Sequence, residues 1–286
     1  MLKRLLLLIL LSTESFHALH AVNPEWTEPF PPHRIAGNLY YVGSKDLASF
    51  LITTPQGHIL INSNLATSPL QIRKSVEQLG FRFTDIKILL ISHAHFDHCA
   101  GSALIKQFTH AQYMVMDADV PTVESGGRKD FAFGNSPKMF YPRAKVDRVL
   151  HDGSQVRLGG VVLTAHLTAG HTRGCTTWTL QVPDHGKLYN VVIVGSPNVL
   201  SEYKLVNNQA YPQIAQDFTK QFQTLRGLPC NIFLGAHGGY YNLVEKYARL
   251  KNGQPNPFID PDGYKAFVAD AQQAFEEALQ KQQRNR

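Results

Sequence analysis

Cysteine is scarce in this chain: three in 286 residues are too few for a disulfide scaffold. Charge is sparse too. Charged side chains make up 17% of the residues against an apolar fraction of 43%, which excludes bulk disorder. Lys plus Arg is 28 and Asp plus Glu is 22, and no block of five or more like charges occurs. The resulting net charge of +6 does not describe a dedicated nucleic-acid binder. Beyond the first residues, no segment is long and apolar enough to span a membrane. Low-complexity segments and short-period repeats are missing. So is the Gly-x-Ser-x-Gly elbow of a serine hydrolase, since Gly195-Ser196-Pro197 is not one. Histidine, by contrast, is abundant at 13 residues.

Residues 1–21 read as a secretory signal. Lys3 and Arg4 precede an unbroken apolar run over 5–11, and the more polar stretch after it ends on the small residues Ala18 and Ala21. Seven apolar residues fall far short of the roughly 20 that cross a bilayer. Cleavage after Ala21 leaves residues 22–286 as one domain with 26 basic and 21 acidic residues, expected outside the cytoplasm with no membrane segment.

Residues 23–32 hold four prolines and read as an extended arm. Strand-like runs follow at 39–42, 50–53 and 59–62, the last two joined through Pro55-Gln56-Gly57 as a hairpin. Ser68 is placed to cap a helix with Pro69 at its first position, Leu70, Ile72, Val76 and Leu79 as its stripe, and Gly80 at its end. A buried strand over 86–91, a helix over 101–108, a strand over 113–116 and a Gly-rich loop over 125–135 come next. The second half repeats the order. Strands are expected at 161–167, 177–182, 189–194 and 231–234, with helices over 212–225 and 263–283. The last helix carries Tyr264, Phe267, Ala271, Phe275 and Leu279 on one face. Strands first and helices after, twice and without a linker, indicate one α/β domain of layered sheets and outer helices.

The chemistry concentrates at Ser92-His93-Ala94-His95-Phe96-Asp97-His98, directly after the buried strand. Neutral imidazole and carboxylate are the usual zinc ligands, and four potential ligands within six residues point to a metal. His93 and His95 point the same way from an extended segment, while Asp97 and His98 come as the chain turns and can address a second ion. Gly170-His171-Thr172 and Gly235-Ala236-His237-Gly238-Gly239 each follow a strand, where one rim of a sheet collects side chains. Together these make six ligands, enough for two ions.

The set His93-Ala94-His95-Phe96-Asp97-His98, Gly170-His171-Thr172 and Gly235-Ala236-His237 resembles the metallo-β-lactamase superfamily. That likeness implies an αβ/βα four-layer sandwich with a dinuclear Zn2+ site. The superfamily spans many substrates, so the branch rests on neighbouring residues. No Asp stands in 192–197 where many branches place a bridging carboxylate, Ser196 occupies the place of a Cys ligand in other β-lactamases, and His98 is present. This pattern is similar to the subclass B3 metallo-β-lactamases. Ser125-Gly126-Gly127 with Asp130-Phe131 resembles their flap loop, and Trp26, Pro29, Pro32 and Ile35 resemble their N-terminal arm. The likeness runs over about residues 25–279.

The resemblance implies that His93, His95 and His171 hold a first zinc and Asp97, His98 and His237 a second. It implies hydrolysis of the β-lactam ring of penicillins, cephalosporins or carbapenems by a zinc-bound hydroxide, without a covalent acyl-enzyme, in a periplasmic resistance enzyme, with a monomer as the default expectation. Asp97 would help orient the nucleophile or deliver a proton. Ser196 is the first candidate to bind the substrate carboxylate, Asn198 a weaker one, Tyr203 would shape the pocket, and Phe131 with Phe133 would form an apolar lid. Family members often join the position of Cys230 by a disulfide to the C-terminal segment. Tyr264 stands at the partner position, so Cys230 is expected unpaired and the terminal helix held by packing. Cys99 and Cys175 read as buried fillers, with a bridge or a soft-metal contact as alternatives. The rival functions are a lactonase or thioesterase on the same scaffold, a zinc carrier, and, less favoured, a nuclease.

Overall fold

A computed structural model describes residues 23–285, so the leader segment lies outside the described residues. The first sheet orders its strands β1(His33–Ala36), β2(Leu39–Tyr41), β3(Phe50–Thr54), β4(Gly57–Ile61), β5(Ile86–Leu90), β6(Gln112–Met116) and β7(Arg148–Leu150) from edge to edge. The second contains β8(Gln155–Leu158), β9(Val161–Leu167), β10(Thr176–Asp184), β11(Lys187–Val194) and β12(Ile232–Gly235), likewise neighbour to neighbour. Each sheet is antiparallel at its beginning and parallel at its end: β4 to β7 run parallel in the first, β11 and β12 in the second. The helices are α1(Ser68–Gln78), α2(Phe96–Cys99), α3(Ser102–Thr109), α4(Val120–Glu124), α5(Ile214–Gly227), α6(Leu243–Lys251) and α7(Pro261–Arg284).

Period-2 alternation makes the layers. Phe50 and Ile52, Ile59 and Ile61, Ile88 and Leu90, and Met114 and Met116 enter the core between the sheets. Leu51, Leu60, Leu89, Tyr113 and Val115 point the other way, onto Ile72 and Val76 of α1 and Ile105 of α3. These strands are apolar on both faces because helices and a second sheet cover them. Behind the second sheet lie Ile214, Phe218, Phe222 and Leu225 of α5 and Val268 and Phe275 of α7. The arrangement is the αβ/βα sandwich expected from the sequence.

Several local expectations needed correction. Thr67, not Ser68, takes the N-cap of α1, and its side chain makes no capping bond. Leu70 is 62% exposed, because the buried stripe runs through Pro69, Ile72 and Val76, a true helical spacing that Leu70 does not share. Strands β1, β7 and β8 and helices α4 and α6 went unread. Within the arm, Pro24–Trp26 forms a 3-10 turn rather than extended chain. The terminal helix is anchored as expected by packing: Tyr264 is buried, with its hydroxyl donating to Leu225 O at 2.6 Å, and Cys230 is a free thiol. Asp260 caps this helix at Gly263 N, 2.9 Å, and pairs with Lys246 at 2.7 Å.

One titration follows from the packing. His33 is buried among the rings of Tyr41, Tyr247 and Phe258. Its Nδ1 donates to Pro31 O at 2.9 Å and its Nε2 has no partner. Burial, only partly offset by the Pro31 bond, pushes its pKa down to about 4. The folded state therefore binds this proton more weakly than the unfolded one. Stability from this group is complete above about pH 6.5 and falls as pH drops towards 4, by about 3 kcal/mol. Urea unfolding at pH 7 and pH 4.5 should show a shallower loss in His33→Phe than in the wild type. Equal losses would contradict the assignment.

Candidate metal centre

Every candidate ligand sits just past the end of a strand, on one rim shared by the two sheets. The segment after β5 supplies His93 and His95, and the short helix α2 turns Asp97 and His98 inward. His171 lies in the β9–β10 turn and His237 follows β12. Gly170 permits that turn: its φ is +138°, and a Cβ there would meet the Phe218 ring at 2.7 Å.

The six side chains converge. His93, His95 and His171 bring one ligand atom each within 4.8 Å of one another, and so do His93, Asp97 and His98. His95 Nδ1 is 3.1 Å from His171 Nε2, and His98 Nε2 is 3.1 Å from His237 Nε2. Asp97 Oδ2 lies 3.2 Å from His98 Nε2 and 3.6 Å from His237 Nε2. His93 therefore stands between two facing groups.

A buried polar atom normally has a partner, and the exceptions call for explanation. Here both ring nitrogens of His93, His95 Nε2 and His98 Nδ1 are buried without a hydrogen bond. Burial drives His93 well below the usual imidazole range, reinforced by the neighbouring imidazoles, and depresses His98 against the pull of Asp97. Burial, with His95 beside it, takes His171 down to about 3. These rings are neutral at physiological pH, with free lone pairs packed against each other. That is the state in which imidazole binds a metal. Burial opposes the ionised form of Asp97, but His98 and His237 outweigh it and hold its pKa below the usual carboxylate range. The donor set fits two divalent cations of the nitrogen-and-oxygen-loving kind.

Behind the ligands stand partners that the sequence reading did not identify. His171 Nδ1 donates to Asn198 O at 2.8 Å. Asp130 Oδ2 lies 3.5 Å from His95 Nε2, while its Oδ1 accepts from Ala132 N and Phe133 N. Burial alone would depress His95, but Asp130 raises it, and His95 in turn keeps Asp130 low. Asp46 Oδ2 accepts from His237 Nδ1 at 2.8 Å. Asp119, 2% exposed, receives Ala94 N, Thr172 Oγ1 and Gly174 N at 2.7 to 2.9 Å. Burial raises its pKa to about 6 against those bonds. Such partners fix the tautomer and direction of metal-binding side chains.

The remaining candidates divide into two places. Ser196 Oγ and Asn198 Nδ2 both reach the Tyr240 hydroxyl at 3.0 Å, and Tyr240 lies against His237 with ring centroids 5.1 Å apart. Tyr240 was not anticipated, although Gly238-Gly239-Tyr240 directly follows a ligand. Tyr203 lies elsewhere: it is buried, and its hydroxyl donates to His171 O at 2.6 Å. Phe131 packs between Tyr203 and Tyr211 with centroids 5.1 and 4.9 Å away, and Phe133 lies 5.6 Å from the His95 ring. Cys99 and Cys175 are buried free thiols, the first donating to His95 O and the second to Ser196 O.

Comparison with known proteins agrees with this geometry. Residues 47–184 match the family model described as the metallo-beta-lactamase superfamily. The native FEZ-1 metallo-beta-lactamase from Legionella gormanii superposes with a TM-score of 0.89 at 56% identity, over 90% of this chain and 98% of that one. BJP-1, a subclass B3 metallo-beta-lactamase of Bradyrhizobium japonicum, gives 0.86 at 35% identity over 92% and 98%. LRA-12, a class B3 di-zinc metallo-beta-lactamase from an Alaskan soil metagenome, gives 0.85 at 36% identity over 90% and 97%. With its ligand rim, its sandwich and these relatives, the chain belongs to the metallo-β-lactamase superfamily and, within it, to the subclass B3 metallo-β-lactamases.

Proposed function

We propose that this protein hydrolyses the β-lactam ring of antibiotics, with two Zn2+ ions as cofactors, and so confers resistance. The observation that carries the reading is the pair of facing ligand groups, His93/His95/His171 and Asp97/His98/His237, with their unpartnered buried nitrogens. The B3 relatives support the reaction class, and the di-zinc relative supports the metal. Residues 22–286 form one hydrolase domain in this reading, exported to the periplasm by residues 1–21, acting as a monomer on a small substrate. Among the described residues, no helix is long and apolar enough to cross a membrane.

His93, His95 and His171, with Asp97, His98 and His237, would hold zinc, which when bound would polarise the lactam carbonyl and lower the pKa of a bound water from about 15.7 to near 7. The chain's own residues do the rest. Asp97, 3.2 Å from His98 Nε2 and 3.6 Å from His237 Nε2, would help hold the second ion, orient the attacking water and assist delivery of a proton to the lactam nitrogen as the C–N bond opens. Water is thus added across the amide: its hydroxyl goes to the acyl carbon and one proton to the nitrogen, giving an amine and a carboxylic acid that loses its remaining proton to solvent. Ser196 and Asn198 offer an O–H and an N–H to the substrate carboxylate, and the Tyr240 hydroxyl holds their orientation. Tyr203 braces the His171 backbone from behind, Phe133 supplies apolar surface beside His95, and Phe131 packs against Tyr203. Among the described residues no His–Ser or His–Cys side-chain hydrogen bond activates a nucleophile, which suits direct hydrolysis without an acyl-enzyme.

The test is hydrolysis of a penicillin, a cephalosporin and a carbapenem by purified protein, before and after chelation, with zinc added back. Zinc-restored opening of any of these rings is the expected result. A folded, zinc-loaded protein that opens none of them but cleaves lactones or thioesters would reject the assignment.

A further inference from the structure

We propose that Asp46 is a positioning residue that sets the metal affinity of the Asp97/His98/His237 group and links it to the N-terminal arm through Trp26. The inference rests on the two-metal reading above and concerns a residue outside the six ligands. Asp46 lies in the loop between β2 and β3, nearly 200 residues from His237, yet three consecutive residues of the His237 turn converge on it. Its Oδ2 accepts from His237 Nδ1 at 2.8 Å, its Oδ1 from Gly239 N at 3.1 Å, and its backbone carbonyl from Gly238 N at 2.6 Å. The neighbouring Leu47 also makes a β-bridge to His237.

These contacts decide how His237 can serve. With its proton on Nδ1, the ring presents the Nε2 lone pair, and Nε2 is the atom 3.1 Å from His98 Nε2 and 3.6 Å from Asp97 Oδ2. A flipped ring or the other tautomer would lose the bond to Asp46. His98 has no comparable brace, since its Nδ1 is buried without a partner. Asp97 reaches His98 at Nε2, the nitrogen that faces the other ligands, so of the two histidines in this group only His237 is braced by a carboxylate on its far nitrogen, and that brace is Asp46. Removing a partner of this kind typically lowers metal affinity by roughly 10- to 100-fold.

The same Oδ2 accepts from Trp26 Nε1 at 3.1 Å. Trp26 ends the arm's 3-10 turn, and its ring lies 6.0 Å from both His237 and Phe96. The arm is tied to this loop again by Asp46 N to Glu25 O, Lys45 N to Glu28 O, and the pairing of Lys45 with Glu25 and Glu28. Occupancy at His237 should therefore register in the environment of Trp26. The chain has only one other tryptophan, Trp178, whose indole is buried and donates to Ile91 O.

Metal-free protein titrated with Zn2+ against a chromophoric chelator, and separately with Co2+ followed by its visible spectrum, provides the test. Wild type should take up two ions, with tryptophan emission changing as the Asp97/His98/His237 group fills. D46N should weaken one of the two steps by roughly 10- to 100-fold and leave the other within about twofold. W26F should lose most of the emission change that accompanies filling of the Asp97/His98/His237 group. Wild-type affinities in D46N would overturn the inference. So would an equal loss of both steps with a lowered melting temperature of the metal-free protein, since that marks a general structural role. If D46N does not fold, the wild type decides, because an emission unchanged by the second ion overturns the link. A wild-type chain that binds fewer than two ions would overturn the two-metal reading itself, a result visible before any variant is made.

Discussion

His93→Ala should lower β-lactam turnover by at least about 1000-fold, equivalent to about 4 kcal/mol, while the chain stays folded. His93 belongs to both metal-competent groups, so its loss damages both at once. Its removal costs the metal-free protein little. Neither ring nitrogen makes a hydrogen bond, and the ring is buried among four other imidazoles with its charged form suppressed. No donor or acceptor is orphaned by the change; what remains is a cavity, worth about 1–2 kcal/mol for a side chain of this size. Zinc should stabilise the wild type by mass action, by about 2.7 kcal/mol for each ion present at 100 times its dissociation constant. Thermal melts with and without zinc should therefore separate the proteins, with a large upward shift in the wild type and a small one in His93→Ala. Near-wild-type rates from the zinc-loaded variant would remove His93 from the centre of the site.

The ligand rim was legible in the sequence because its chemistry is dense and local. Four potential ligands within 93–98 after an apolar strand carry their own signal, and His171 and His237 gain meaning beside it. The central strands were legible because residues buried on both faces form unbroken apolar runs, as 88–91 and 191–194 do. What stayed hidden depends on topology. Asp46, Asp119 and Tyr240 are ordinary residues in their local sequence, and each acquires its role from a partner brought alongside by the sheets: Asp46 by the pairing of the β2–β3 loop with the turn after β12, Asp119 by the ends of β5, β6 and β9 meeting at one rim. Edge strands β7 and β8 are three and four residues long with exposed arginines, so their alternation is too brief to read. Leu70 misled because an apolar side chain near a helix start was counted into a stripe that its angle does not meet. Tyr203 shows the same limit at the site. The family resemblance made it a pocket-shaping candidate, but only the fold reveals that its hydroxyl donates to the His171 backbone.

Asp119→Ala should destabilise the protein by about 3–5 kcal/mol, the largest stability effect expected of any single carboxylate here. The side chain lies at the end of β6, is 2% exposed, and has no cation beside it. Instead its two oxygens hold three donors from the two ligand-bearing segments: Ala94 N between His93 and His95, Thr172 Oγ1 next to His171, and Gly174 N two residues further on. The last contact is so close that a Cβ on Gly174 would stand 2.6 Å from Asp119 N, which explains a glycine at that place. Alanine at 119 leaves two backbone amides and a hydroxyl buried with no acceptor, each costing about 1–3 kcal/mol, partly offset by no longer burying a carboxylate. Asparagine is no remedy, because one of its two terminal atoms is itself a donor facing donors, and about half of the loss should persist. For a chain of this size, each kcal/mol moves the melting temperature by about 2–4 °C, so Asp119→Ala should melt roughly 6–20 °C lower. The two segments would also lose their common clamp. His95 and His171, 3.1 Å apart in the intact protein, should then bind metal more weakly even under conditions where the variant is fully folded. Calorimetry on the metal-free proteins and zinc affinity measured well below the melting range would test the two effects separately. A variant with unchanged melting temperature would show that water replaces the carboxylate, and one that melts low yet binds zinc normally would show that the clamp serves the fold alone.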